Sequence, residues 1–283
     1  MVCTQAMTAG NALDDSPLVT VVLPTRDGSG TLAEAISGVL SQTYARLECL
    51  VIDDGSVDAT PVQLAGIAGS DGRVRVIRHE RPLGLQRALN RGLSEARGML
   101  IARIDDDDAW TRREKVADQV QAFLREPALQ LLGTGAWMVD PDRPGGYARR
   151  LLCADESIRR VALAWNPFVH SSVMFRREAA LAAGGYDERL RHSEDHDLWL
   201  KLGRMGTLAN LADVCVRYRL SPSVSTAARR WRASREALLL VWRYGRFYPG
   251  RVGALLTAAG RLGLHALPVS HSRRNAWRRS RGR

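Results

Sequence analysis

The stretch from Gly98 to Trp110, G-M-L-I-A-R-I-D-D-D-D-A-W, constrains this chain more than any other. Met99, Leu100, Ile101, Ala102 and Ile104 make an apolar run of the length of a buried strand, and it stops in four consecutive carboxylates, Asp105 to Asp108. Adjacent like charges repel, and each disfavours the ionisation of its neighbours. A divalent cation, whose hard chemistry takes oxygen ligands, offsets that repulsion. The C-terminal end of a core strand is also where an open α/β sheet collects its ligands. The plainer reading is a helix cap, since Asp108 precedes T-R-R-E-K-V and Asp is a good N-cap. One Asp suffices for a cap, and the run alone leaves both readings standing.

Upstream, short apolar strands and helical patterns alternate. Leu18 to Leu23 is β-branched and apolar, with Pro24 expected to close it. Leu32, Ala35, Ile36, Val39 and Leu40 then recur at helical spacing. A second strand, Leu47 to Ile52, ends in D-D-G-S-V-D, and Thr60-Pro61 opens a helix. A third strand, Val74 to Ile77, precedes a helix with Leu85, Ala88, Leu89, Leu93 and Ala96 on one face, which Gly98 stops. This alternation, sustained through residue 126, predicts a mainly parallel sheet covered by helices. Right-handed crossovers carry the strand ends to one side, so Asp53 and Asp54 are expected to share a cleft with Asp105 to Asp108. D-D-G-S-x-D taken alone reads as a turn, with Gly55 at a close approach and Ser56 and Asp58 as local caps. Its coincidence with a second acidic strand end favours the functional reading.

Beyond a strand-like Leu131 to Val139, P-D-R-P-G-G-Y breaks regular structure and is read as a change of subregion. The expected organisation is a disordered lead-in over 1–16, a ligand-binding subdomain over 17–140, a second subdomain over 141–225 and a basic helical tail over 226–283. In R-H-S-E-D-H-D-L-W-L-K-L, Glu194 and Asp195 sit just before Leu198, Trp199, Leu200 and Leu202, a helix that anchors the acidic pair to the core. His192 and His196 at i, i+4 invite a zinc reading. It ranks low, because the apolar helix follows too closely and no third ligand stands out. His170 reads equally well as a loop histidine and as a substrate contact.

Cys3, Cys49, Cys153 and Cys215 show no C-x-x-C pairing, which favours neither zinc nor a disulfide framework and fits a reducing cytoplasm. The first 16 residues lack the basic start and apolar run of a signal peptide. The net charge of +11 belongs to the tail: from Thr226 onward there are 14 arginines, no lysine and one acid, Glu236, against 27 basic and 29 acidic residues in the rest. The high pI therefore lends no support to nucleic-acid binding by the body, and no nucleic-acid partner is expected. Leu238 to Trp242 and Leu255, Leu256, Leu262, Leu264 and Leu267 lie among those arginines, a pattern that suits helices on an anionic membrane surface. The alternative is that the helices pack on the body and only R-R-N-A-W-R-R-S-R-G-R is free.

Taken in order, V-V-L-P-T-R-D, S-Q-T-Y, V-I-D-D-G-S-V-D, A-R-I-D-D-D-D, H-S-S-V-M-F, G-G-Y-D-E and E-D-H-D-L-W resemble the family 2 glycosyltransferases over roughly residues 17 to 220. The resemblance implies the GT-A fold and an inverting transfer of a sugar from a nucleotide-diphosphate donor to a hydroxyl acceptor, a glycan or lipid-linked glycan, in cell-surface polysaccharide or glycolipid synthesis. It implies that Pro24, Thr25 and Arg26 line the nucleotide site and that Asp54, with Asp53, contacts the base. Asp105 and Asp107 fall on the D-x-D positions, Asp107 as the firmest ligand of Mn²⁺ or Mg²⁺ and Asp105 nearer the ribose and donor sugar. Asp195 matches the acceptor-side base, with Glu194 and His170 beside it. The chain departs from the family at Asp106, an acid in the middle of the D-x-D run, and at Arg26, where relatives often carry an aromatic residue. The expected location is cytoplasmic, peripheral on the inner face of the cell membrane. Two rival readings are a sugar-nucleotide nucleotidyltransferase, which wants a glycine-rich phosphate loop after the first strand, and a non-catalytic sugar-nucleotide binder.

Overall fold

The structure, a computed structural model, describes residues 16–140, 143–220 and 227–266. Strands β1 (Val19–Thr25), β2 (Leu47–Asp53), β3 (Val74–Arg78) and β4 (Leu100–Arg103) alternate with helices α1 (Leu32–Leu40), α2 (Thr60–Ser70) and α3 (Leu85–Glu95). They pair in parallel in the spatial order β3-β2-β1-β4. Every residue of β1 and β2 is buried, as a sheet covered on both faces requires. Val19, Val21 and Leu23 pack with Leu32, Ile36 and Val39 of α1 on one face, while Val22 packs with Leu89 and Leu93 of α3 on the other. The strand does not stop at Pro24 but runs on to Thr25. Pairing of β1 with β4 ends at Val22–Arg103, so Pro24 meets only β2, and its missing N–H breaks no ladder toward β4.

The chain continues through β5 (Ala109–Trp110), α4 (Lys115–Arg125), β6 (Leu129–Asp140), β7 (Arg143–Arg149), α5 (Asp155–Ala162), β8 (Met174–Arg176), α6 (Arg177–Ala182), α7 (Glu194–Leu202) and β9 (Thr207–Arg219). All nine strands join one mixed sheet, β3-β2-β1-β4-β8-β6-β9-β5, with β7 paired to β6. The parallel arrangement covers the first four strands and the β6–β9 pair, while β8 is antiparallel to both its neighbours. The reason is local: a 3-10 turn, His170–Ser172, delivers the chain beside the acidic end of β4, so β8 runs away from that end. The expected boundary after residue 140 falls in the β6–β7 hairpin, and β8 lies between β4 and β6, so both expected subdomains share this sheet.

The tail forms α8 (Ala227–Tyr244) and α9 (Arg251–Ala266). Leu240, Val241, Tyr244, Tyr248 and Ala254 are buried against Ala162, Leu163, Leu190 and Leu200. The Tyr244 hydroxyl donates to Asp197 (2.7 Å) and the Tyr248 hydroxyl to the Leu200 carbonyl (2.8 Å), while Glu236 accepts the N–H groups of Arg191 (3.0 Å) and His192 (2.9 Å). Full burial of one Leu or Val side chain contributes about 1.5–3 kcal/mol. The inner faces of the tail helices therefore pack on the body, whereas Trp242, Val252 and Leu256 are 73%, 72% and 70% exposed. Among the described residues no helix is long and apolar enough to cross a membrane. The expected lead-in, apart from Ser16, and the basic end over 267–283 lie outside the described residues.

Candidate active site

The sheet order switches direction at β1, with β2 and β3 to one side and β4 to the other, and such a switch opens a crevice at the strand C-termini. There Thr25 Oγ1, at the last position of β1, donates to Asp106 Oδ2 (2.5 Å) and ties the two strand ends together. A Cβ on Gly28 would overlap both Asp106 Oδ2 and Thr25 Oγ1, so this turn accepts only glycine while the pair is in place. Arg26 is exposed beside Asp27 (3.7 Å), and Pro24 is buried.

The turn after β1 is bound to the D-D-G-S-V-D loop. Asp27 takes a left-handed conformation (φ 54°), its N–H donates to Ser56 Oγ (2.9 Å), and its carboxylate accepts the Val57 N–H (2.8 Å). Asp58 accepts the N–H groups of Ser29 (3.1 Å) and Thr60 (2.9 Å). Asp53 accepts the Ser56 N–H (2.9 Å) and pairs with Arg78 (3.2 Å). Asp54 meets the His79 ring (2.8 Å) and accepts the N–H groups of Leu83 (2.8 Å) and Gly84 (2.8 Å). Burial acts to raise the Asp54 pKa, but these donors outweigh it and hold the carboxyl below its ordinary range. At 1% and 4% exposure, Asp53 and Asp54 spend their carboxylates on building this wall.

Each carboxylate of the acidic run has a different environment. Asp105 pairs with the buried Arg103 guanidinium (2.5 Å) and accepts from Ser171 Oγ (3.0 Å). Arg103 retains two buried nitrogens, Nε and Nη1, without a hydrogen-bond partner. Asp108 meets the same Ser171 hydroxyl and accepts the Arg219 N–H (2.8 Å), which ties the end of β9 to the run. Burial and the neighbouring Asp105 push the Asp108 carboxyl well above the ordinary carboxylate range. Burial raises Asp106 despite the Thr25 hydrogen bond. Burial, then Asp105 and Asp106, push Asp107 up to about 6, and the hydrogen bond its carboxylate accepts comes from its own N–H.

These environments test the divalent-ion reading. Arg103 pairs with Asp105 alone, so one guanidinium faces four carboxyl groups and the run keeps an excess of acid at a ligand crevice. Asp107 is the member of the run with no side-chain hydrogen bond or ion pair among the described residues. No group of three His, Cys, Asp or Glu side chains among the described residues surrounds a common point. The donor set thus fits an ion held by one or two carboxylates and completed by phosphate oxygens and water.

Across the crevice, α7 begins with Glu194 and Asp195, and fully buried Trp199 one turn on packs among Phe168, Phe175, Tyr186 and His170. The sequence placed this helix correctly as the anchor of the acidic pair. A cavity of about 480 Å³ is lined by Asp105 from the strand side and by Asp195, Glu194, His170, Tyr218 and Arg191. Asp195 accepts the Asn166 amide (2.7 Å) and its own next N–H, from His196 (2.6 Å). Burial pushes Asp195 up to about 6 against the pull of those two donors. Burial and adjacent Asp195 push Glu194 up to about 7, and Glu194 Oε2 is buried without a hydrogen-bond partner among the described residues. His170 contacts the Tyr186 hydroxyl (3.2 Å) and is held down to about 3 by burial and Arg103, so it is neutral at physiological pH. The His196 ring is committed to the Ala162 carbonyl (2.5 Å), which removes it from the His192/His196 zinc pattern.

Arg103, Ser171, Asn166, Gly28 and Arg219 were not singled out from the sequence. Arg103 alone left a visible signal, a charged residue inside an apolar strand pattern, and it proves to be the counter-charge of Asp105.

The description Glycosyl transferase family 2 matches residues 20–183. The amylovoran biosynthesis glycosyltransferase AmsE of Erwinia amylovora is 28% identical over 215 residues, covering 75% of this chain and 79% of that protein. Staphylococcus aureus TarS, solved with UDP-GlcNAc, superposes with a TM-score of 0.71 at 17% identity over 92% of this chain and 78% of that one. The mannosyltransferase PcManGT of Pyrobaculum calidifontis, solved with GDP-Man and Mn²⁺, gives 0.62 at 22% identity over 93% and 79%. The crevice and sheet define a GT-A glycosyltransferase. The chain belongs to glycosyl transferase family 2.

Proposed function

We propose that the chain transfers a sugar, with inversion, from a nucleoside-diphosphate donor to the hydroxyl of a glycan or lipid-linked glycan, with a divalent ion at the acidic run. One observation carries the reading: Asp105, from the donor-side strand end, and Asp195, from α7, line the same cavity. Thr25 and Asp106, clamped to each other, fix the floor on which the nucleotide lies, with Pro24 and Arg26 at its edge. Asp54, with both carboxylate oxygens engaged, holds the wall beside the base, while Asp53 Oδ2 has only its ion pair with Arg78 among the described residues. Asp107, assisted by Asp105, would hold Mn²⁺ or Mg²⁺. An ion bound there supplies Lewis-acid stabilisation of the negative charge on the departing diphosphate.

Asp195 takes the proton of the acceptor hydroxyl. A base with a pKa of about 6 is ionised at neutral pH yet far more basic than an ordinary Asp, a useful compromise for proton abstraction. Its approach from the face opposite the leaving group gives inversion, as for the base in inverting sugar chemistry. The unpartnered Glu194 Oε2 and the neutral His170 ring offer hydrogen bonds to sugar hydroxyls in the same cavity. Relatives such as AmsE support a place in polysaccharide synthesis. The test is product analysis with a UDP- or GDP-sugar: release of nucleoside diphosphate with an inverted anomeric centre supports the reading. Release of pyrophosphate, or a retained configuration, contradicts it.

A further inference from the structure

A second cavity, about 370 Å³, lies between α8 and Arg189–Leu190 of the body and is lined by Arg189, Arg232, Arg235 and Arg243 with Leu190 and Leu239. Its acid, Glu236, is already engaged by the N–H groups of Arg191 and His192. Arg189 and Arg243 share Asp187, whereas Arg232 and Arg235 are exposed, Arg235 stacking on Trp231 (4.8 Å). Arg232, Arg235, Leu239 and Trp242 follow helical spacing along one face of α8, and Trp242 is 73% exposed. The cavity adjoins the active one. Arg189 and Leu190 line the second cavity while the next two residues, Arg191 and His192, line the catalytic cavity, and α8 contributes to both walls.

Guanidinium forks match phosphate oxygens, which sets the ligand chemistry. The apolar floor and the exposed Trp one turn along suit an interface between water and lipid rather than a freely dissolved anion. The sequence beyond the described residues, 267–283, adds six arginines and a tryptophan with no acid, so the charge complements an anionic surface throughout. We propose that this cavity receives the phosphate headgroup of an anionic membrane lipid, with Trp242 in the interfacial layer, so that α8 sets the mouth of the active cavity at the membrane. The purpose of such docking, access to a membrane-bound acceptor, rests on the proposed function. The docking itself does not require catalysis.

The test uses the full chain in vesicle flotation, with donor turnover measured in parallel without vesicles. Wild type is expected to float with phosphatidylcholine vesicles that contain phosphatidylglycerol and not with phosphatidylcholine alone. The Arg232→Gln/Arg235→Gln variant should partition about 30-fold more weakly, the equivalent of about 1 kcal/mol for each of two charges near the surface. Its turnover in solution should equal that of wild type, which separates a failure of docking from a failure of the catalytic reading. If that variant loses its circular dichroism signal, the exposed position 242 carries the test, with Trp242→Ser expected to weaken partition at least several-fold. Undiminished flotation of the folded double variant, or of Trp242→Ser in that event, overturns the proposal. So does equal flotation with neutral vesicles, and so does saturable binding of glycerol phosphate at Arg232 and Arg235 without vesicle binding.

Discussion

Asn166→Ala tests the environment that makes Asp195 a base. Two donors hold the Asp195 carboxylate, the Asn166 amide at 2.7 Å and the His196 N–H at 2.6 Å, against burial that raises its pKa to about 6. The substitution removes the first donor and leaves the second. A hydrogen bond to a charged group contributes about 1.5–3 kcal/mol, and one pH unit corresponds to about 1.36 kcal/mol. Complete loss would therefore raise the pKa by about 1–2 units. Asp195 lines an open cavity, so water replaces part of the lost bond, and we expect a rise of about 1 unit. The sign follows from the role: the base works only when ionised, so turnover falls as pH drops through its pKa. Donor turnover followed from pH 5 to 9 should show an acid limb near 6 in wild type and near 7 in Asn166→Ala, with similar plateaus above pH 8. Glu194→Gln controls for the acid adjacent to Asp195, raised to about 7, and should leave an acid limb. Asp107, raised to about 6 on the donor side, is untouched by Asn166→Ala and cannot account for a shift of the limb in that variant. An acid limb that stays near 6 in Asn166→Ala, or that disappears in Glu194→Gln, refutes the reasoning.

Gly28→Ala should push the Thr25–Asp106 pair apart and weaken nucleoside-diphosphate binding, read by calorimetry, while thermal unfolding changes little because the turn is at the surface. Asp54→Ala leaves the half-buried Leu83 and Gly84 N–H groups without their acceptor and should cost about 1–3 kcal/mol in urea unfolding. Truncation after Ser225 uncovers Ala162, Leu163, Leu190 and Leu200, so the shortened chain should unfold at lower denaturant and bind a hydrophobic dye. A truncated chain as stable as the whole would contradict the packing of α8 and α9.

The parallel half of the fold was legible because β1, β2 and β4 are buried on both faces and read as mainly apolar runs. The strand-end acids were legible because charge at the end of such a run has few structural explanations. What the sequence hid is long-range. The partners that engage the Asp54 carboxylate lie 25 to 30 residues away. Asn166 reaches Asp195 across 29 residues, and Ser171 reaches Asp105 across 66. The tail leaves two readings open in the sequence because an Arg-rich amphipathic helix looks the same whether its apolar face meets lipid or protein. Asp197, within E-D-H-D, settles the inner face by accepting the Tyr244 hydroxyl and pairing with Arg243 (3.4 Å).

The central claim is a division of labour, with Asp107 serving the donor and Asp195 the acceptor. Calorimetric titration of UDP and GDP with and without Mn²⁺ against wild type, Asp107→Asn and Asp195→Asn, with turnover measured on the same samples, tests it directly. Asp107→Asn should lose the Mn²⁺-dependent part of nucleotide affinity. Asp195→Asn should keep that affinity while turnover falls by about 10²–10⁴, the usual contribution of a general base. Wild-type Mn²⁺-dependent binding in Asp107→Asn, or nucleotide binding lost in step with turnover in Asp195→Asn, would contradict the account.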